Sequence, residues 1–203
     1  MKQPALTKVK LITFTALLGA LSAVLMILRF PIPFMPPFME MDFAPVTEIM
    51  GGFLFGPLCA FLTILVKTLV KLVVQGSQTF GTGDISALIL SLVYVMPATF
   101  FYKYHKNKKA AGLVLIVDTI LVTIAAVVSN VYFIFPFYAK MMGAEMADLI
   151  AMCTAVNPYV TDTLTLVFLT IIPFNIIKYG LCSIVTRLLY KSLSRAIKNI
   201  VYH

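Results

Sequence analysis

Pro45-Val46-Thr47-Glu48-Ile49-Met50-Gly51-Gly52-Phe53-Leu54-Phe55-Gly56-Pro57-Leu58-Cys59-Ala60-Phe61 decides how this chain is read. The stretch from Pro45 to Phe55 is apolar but too short to cross a bilayer comfortably, since about 20 residues are needed for a core ~30 Å thick. It either merges with the apolar run that follows or stands as a separate helix. Pro57 suits the first position of a new helix, where its missing N–H is no loss, and Gly56 can make the reversal before it. The basic residues arbitrate. They cluster at Lys2, Lys8 and Lys10, at Lys103, Lys106, Lys108 and Lys109, and at Arg187, Lys191, Arg195 and Lys198. Basic loops stay in the cytoplasm, so the chain crosses an even number of times between the first two clusters. A break at Gly56-Pro57 provides four crossings, and a merged helix provides three. The expectation is an all-α polytopic membrane protein with six transmembrane helices, at about 10–29, 45–56, 57–75, 85–102, 110–135 and 163–190, and with N and C termini cytoplasmic. The second helix is expected to be short, tilted or only partly inserted.

Composition supports a single six-helix membrane domain over residues 1–203. The 203 residues are 61% hydrophobic and 12% charged, with mean hydropathy +0.98. No ordinary soluble domain has this balance. The net charge of +8 sits at the chain ends and in one loop, which is an orientation pattern and not a nucleic-acid surface. Leu11 to Leu28 is long enough to span and lacks a clear A-x-A site, so it reads as a retained first helix. Cys59, Cys153 and Cys182 form no CxxC, and His105 and His203 lie in or beside basic polar segments, so no metal site is expected. Gly81-Thr82-Gly83-Asp84 lacks the spacing of a phosphate-cradling loop. Neither a Ser/His/Asp set nor HExxH is present. No catalytic residue is assigned; a membrane-embedded lipid-modifying enzyme stays as the alternative of another class, and a scaffold without ligand as a third.

The outer side then holds segments 30–44, 76–84 and 136–162. Four prolines in Phe30–Met39 forbid a regular helix. This loop is either a hydrophobic interface segment or a lid over a pocket. Segment 143–160 suits a short amphipathic helix on the outer surface. In Pro173-Phe174-Asn175-Ile176-Ile177-Lys178-Tyr179-Gly180 a lysine lies deep in an apolar helix, at an insertion cost of roughly 2.5–3.5 kcal/mol. Asn175 and Lys178 share a helix face and can point into one cavity. Asn130, near the outer end of helix five, is either an interhelical hydrogen-bonding residue or a ligand contact. Lys71 is expected to snorkel outward, whereas Lys67 either lines the cavity or pairs with an acid. Glu48 is either a helix-dipole partner or an acceptor for ligand groups, and Asp42 joins the candidate ligand-binding set. Asp118 is expected to pair with a lysine of the nearby basic loop. Ala16, Gly19, Ala20 and Ala23 make a small-residue face on helix one that suits close helix packing, within the bundle or with a partner. Pro97, Pro136 and Pro173 are expected to kink or end helices.

Phe30-Pro31-Ile32-Pro33, Met41-Asp42-Phe43, Gly52-Phe53-Leu54-Phe55-Gly56-Pro57 and Pro173-Phe174-Asn175-Ile176-Ile177-Lys178 together resemble the riboflavin-binding S component of energy-coupling-factor (ECF) vitamin transporters. The resemblance covers nearly the whole chain. It implies a substrate-binding subunit that captures riboflavin, as transported ligand and not as cofactor, in an outward-facing pocket under the first outer loop. The implied partners are an ECF module of one transmembrane coupling subunit and two ATPases, on which the S component docks and topples in the bilayer to release its ligand inside. The implied location is the bacterial cell membrane. The family's ligand residues fall on Asn130, Asn175 and Lys178, and its A-x-x-x-A face on Ala16 and Ala20. The chain departs from the family pattern at Glu48, at Lys67–Lys71 and at Gly83–Leu88, which keeps an S component for a different vitamin or precursor as the alternative.

Overall fold

The structure, a computed structural model, describes residues 8–201 except Pro37, Gln78, Phe80, Lys106 and Ala144, and the side chains of Lys108 and of 191–201 fall outside that description. The expectations placed on Lys2, Lys106 and His203, and on the side chains of Lys108, Lys191, Arg195 and Lys198, therefore lie outside the described residues. Helix α1 (Lys8–Ile27) leads to a short hairpin, β1 (Phe30–Pro31) and β2 (Glu40–Met41), with Phe30 opposite Met41. Helices α2 (Ala44–Phe55), α3 (Pro57–Gln75) and α4 (Thr82–Tyr104) follow. Then come α5 (Lys108–Ser129), a π turn at Asn130–Ile134, α6 (Phe135–Met142) and α7 (Met146–Thr154). The chain ends with α8 (Thr163–Leu166), a second π turn at Val167–Ile171 and α9 (Ile172–Val201).

The break at Gly56-Pro57 is present. Gly56 takes φ +100° and its N–H bonds the carbonyl of Gly52, after which Pro57 opens α3. Among the described residues five helices are long and apolar enough to cross a membrane, and α2 is not one of them. Its shortness has a physical reason. Every residue from Ala44 to Phe53 is buried, because α2 packs against α1, α3, α4 and α9 at once. A helix enclosed on all sides by protein need not match the bilayer thickness. The lipid-type surface is carried by its neighbours instead: Leu17, Leu21 and Val24 on α1, and Ile116, Ile120 and Ile124 on α5, are all exposed.

Pro136 and Pro173 neither stop nor sharply end their helices. A proline ring collides with the carbonyl four residues back and supplies no N–H. Here the turn before each proline widens. Phe135 N–H bonds the carbonyl of Asn130, and Ile172 N–H bonds that of Val167, both at π spacing. The fifth apolar helix so continues to Met142, beyond the expected end at 135. Pro97 is carried inside α4. The expected short helix after 143 is α7, with Leu149 and Cys153 buried. Asp162 caps α8, where hydrogen bonds from Thr165 hold its carboxyl below the usual carboxylate range.

Candidate ligand-binding site

The hairpin, the start of α4, the first π turn and α9 enclose a cavity of about 380 Å³. That size suits a small organic ligand. Its apolar and aromatic surface comes from Met26, Phe38, Met39, Leu90, Phe135, Tyr138, Phe174 and Tyr179. Phe38 meets Phe135 edge-on with ring centroids 5.8 Å apart. Of the first outer loop, Phe38, Met39, Glu40 and Asp42 line the cavity.

Asn130, Asn175 and Lys178, far apart in sequence, face this one space. Each asparagine is anchored by its own helix: Asn130 Nδ2 donates to the Ala126 carbonyl at 2.7 Å, and Asn175 Nδ2 to the Ile171 carbonyl at 2.8 Å. These bonds fix the amide planes and leave each Oδ1 as an acceptor without a partner among the described residues. Both asparagines sit beside a π turn, so the widened backbone and the amide anchors belong to one local arrangement. π turns recur at functional positions in helices.

Lys178 does not stand alone. Its Nζ lies 2.5 Å from Asp42 Oδ2, at the end of the hairpin. It also lies 5.9 Å from the ring centroids of Phe174 and Tyr179. Asp42, a candidate by sequence, therefore enters the site as the counter-ion of Lys178. Two further ion pairs line the same cavity. Arg29 Nε sits 2.7 Å from Glu40 Oε2, and Lys71 Nζ 2.5 Å from Asp84 Oδ1. Lys71 was expected to snorkel outward. It is 2% exposed and also donates to the Gly76 carbonyl at 2.9 Å. A carboxylate in the first turn of the next helix outcompetes the interface for its ammonium. Sequence reasoning did not select Lys71 and Asp84 as site residues; their signal was two opposite charges flanking one short connection, 13 residues apart.

Glu48 and Lys67 are placed elsewhere. They bond each other at 2.5 Å, 0% and 2% exposed in their side chains, and neither is among the cavity residues. Ser22 donates to Glu48 Oε1 at 3.2 Å, and Lys67 donates to Ser91 Oγ at 2.8 Å. One buried polar cluster so ties α1, α2, α3 and α4 together. Asp118 is 2% exposed in α5 and takes a backbone hydrogen bond from Ala98 of α4, next to Pro97. The expected lysine partner is not found among the described residues. The small face of α1 divides in two. Gly19 and Ala23 are buried, and a Cβ on Gly19 would lie 2.5 Å from Val66 Cγ1 of α3. Ala16 and Ala20 face outward.

A bundle of helices long and apolar enough to cross a membrane, around a cavity of this chemistry, has the form of a membrane-embedded binding protein. The comparisons identify which kind. Residues 10–190 match the family model described as ECF transporter, substrate-specific component. The chain belongs to that family, whose members are the substrate-specific parts of a transporter and not enzymes. It is 31% identical over 192 residues to the riboflavin transporter RibU of Staphylococcus aureus (strain TCH60), covering 94% of this chain and 93% of that protein. It is 27% identical over 187 residues to the riboflavin transporter FmnP of Bacillus subtilis (strain 168), covering 92% and 93%. A solved S component of a bacterial ECF transporter superposes with a TM-score of 0.73 at 29% identity, covering 95% of this chain and 99% of that one. This is a multi-pass membrane protein with the S-component fold.

Proposed function

We propose that the protein captures riboflavin from outside a bacterial plasma membrane and hands it to an ATP-driven module. The observation that carries this reading is the convergence of Asn130, Asn175 and Lys178 on a single cavity walled by aromatic rings. A flavin has a flat, weakly polar ring system with acceptor and donor atoms on one edge. Its ring suits the aromatic walls, and its edge suits two fixed amides and an ammonium. The polyol tail is then served by the hydroxyls of Thr79, Thr82 and Ser86, which line the same cavity. The first outer loop covers the ligand, with Asp42–Lys178 as its tether to α9.

The similarity to named riboflavin transporters supports the same ligand. Of the three departures from the family pattern, Glu48 and the Lys67 end of Lys67–Lys71 lie away from the cavity, whereas Lys71, Gly83, Asp84, Ser86 and Ala87 line it. Glu48 and Lys67 neutralise each other away from the cavity. Their difference is absorbed by the packing of four helices and not by the ligand.

In this reading the chain crosses the membrane six times, α2 included, with both ends cytoplasmic. Ala16 and Ala20 form the contact face for the coupling subunit of a module that also holds two ATPases. The direct test is the absorbance of the purified protein followed by flavin titration. A yellow flavin band, with quenching of flavin fluorescence on binding, is expected. A clean spectrum and no quenching at micromolar flavin overturns the reading.

A further inference from the structure

A second hollow, of about 430 Å³, lies between the α2–α3 turn and the last two turns of α4. Phe55, Leu58, Phe61, Met96 and Phe100 wall it, and Lys103 is the charged residue among its borders. Thr82, which lines the outer cavity, and Lys103 are about 30 Å apart along α4 at 1.5 Å rise per residue, the thickness of a bilayer core. The groove therefore sits at the opposite membrane interface from the cavity. The bundle does not fill it. Leu58, Phe61 and Phe100 are exposed, and a Cβ on Gly56 at its border would meet nothing within 4 Å. No acidic residue lines it. Between Glu48 and Asp118 the chain has one carboxylate, Asp84, which lies at the far end of α4 and is bound by Lys71. Lys103 has no carboxylate partner among the described residues. Its ammonium lies 5.7 Å from the ring centroid of the exposed Tyr104. The sequence sets three more lysines, Lys106, Lys108 and Lys109, on the connection that follows.

We propose that this groove is a binding site for an anionic phospholipid, with an acyl chain against Phe55, Phe61 and Phe100 and the headgroup phosphate at Lys103. Apolar walls alone give no preference within a bilayer, because lipid tails are as apolar as the rings they touch. The preference comes from the charge at the rim. A lysine stem runs along apolar surface while its ammonium reaches headgroup level, and a cluster of lysines beside a membrane draws anionic headgroups. A zwitterionic headgroup carries its own cation and gains less. The walls also argue against a partner helix as occupant. Close helix approach needs small residues, and those lie on α1, whereas this groove is lined by bulky side chains with an unpaired cation at its border.

The chain contains no tryptophan, so Phe100→Trp places a single fluorescent reporter in the groove. The purified full-length variant is reconstituted into vesicles of equal parts phosphatidylglycerol and phosphatidylcholine, with one or the other brominated in its acyl chains, and quenching is read. Both leaflets hold both lipids, so the orientation of the protein does not enter. Brominated phosphatidylglycerol is expected to quench as though enriched about five- to tenfold over phosphatidylcholine, the scale of one or more lysines near an anionic surface. Lys103→Gln in the same background should bring that ratio to within about twofold of unity. Lys140→Gln, exposed on α6, should leave it unchanged. Val73→Trp, an exposed position near the other end of α3, should be quenched equally by the two lipids. Equal quenching of Phe100→Trp by both lipids overturns the proposal, as does a preference that survives Lys103→Gln. The same preference at Val73→Trp also overturns it, since the attraction then belongs to the net charge of the whole chain. Quenching at Val73→Trp but by neither lipid at Phe100→Trp means that protein covers the groove, and overturns it too. Leu58→Trp, on the facing wall, repeats the measurement if Phe100→Trp does not fold. No readout involves flavin, so the result stands apart from the function proposed above.

Discussion

On the proposed reading, Lys178 is the residue at which a single change is expected to weaken ligand binding most. Its ammonium is held between Asp42 Oδ2 and two aromatic faces, and it borders the same cavity as Asn130 and Asn175. Lys178→Met keeps the length and removes the charge. Riboflavin binding is expected to weaken by about 1.5–3 kcal/mol, the range for a hydrogen bond to a charged group. Asp42→Asn separates the two roles of the pair. If Lys178 meets the ligand, the asparagine variant keeps most of the affinity that the methionine variant loses. Equal losses in both variants would make the pair a structural tether only, and unchanged affinity in Lys178→Met would remove it from the site. The pairing of Asn175 with Lys178 was legible because three residues on a helix fix a shared face. Asp42 was legible as a candidate but not as the partner. The two are 136 residues apart, and no local periodicity reports which loop returns to which helix.

Glu48 and Lys67 pose the opposite case, a charge pair that serves the fold. Breaking a buried pair from one side leaves an uncompensated charge and typically costs about 3–5 kcal/mol, whereas neutralising both sides costs far less. Lys67→Met alone should sharply lower the thermal unfolding midpoint in detergent. Lys67→Met with Glu48→Gln should recover most of that loss. If the double variant is no better than the single one, the cluster with Ser22 and Ser91 is held by geometry and not by charge balance.

At the scale of elements, α2 shows why sequence length alone misleads. The break at Gly56-Pro57 was readable from turn chemistry and charge parity, and it is where the chain turns. That α2 would be buried on every side was not readable, because an apolar run looks the same facing lipid or protein. Its close approach to α4 is written in Gly52. A Cβ there would fall 1.9 Å from Thr99 Cγ2 and 3.1 Å from Ala60 Cβ. Thr99 is fully buried, so it has no room to retreat. Gly52→Ala is expected to cost about 1–3 kcal/mol by overpacking, read as a fall in the unfolding midpoint. Adding Thr99→Ser, which removes the clashing methyl but keeps the hydroxyl bonded to Met96, should restore part of the loss. No recovery would place the strain elsewhere along α2. The π turns before Pro136 and Pro173 were likewise hidden. Proline marks a disturbed helix, but whether the helix ends, bends or widens depends on what its neighbours can satisfy.

For the whole molecule, the proposed function gives the division of α1 a meaning. The chain belongs to the substrate-specific components of a transporter. On the proposed reading it works with a coupling subunit, and a surface that another helix can approach closely is expected. The sequence offered four small residues on α1 and could not say which of them turn inward. The structure spends Gly19 and Ala23 on packing within the bundle. It leaves Ala16 and Ala20 outward, beside exposed Leu17, Leu21 and Val24. The consequences of enlarging the two kinds of position should differ. Ala16→Trp and Ala20→Trp fill the approach path of a coupling helix without touching the cavity. They are expected to fold, to bind flavin with unchanged affinity and to fail in uptake by cells that supply the ATPase module. Gly19→Trp drives a ring into Val66 and α3, and should lose folding and binding together. Three measurements on each variant decide the matter: yield of folded protein, flavin titration and cellular uptake. Normal uptake in Ala16→Trp and Ala20→Trp would move the coupling contact to another face of the bundle. Loss of binding in those two would show that the outward half of the α1 face also supports the internal packing on which the cavity depends.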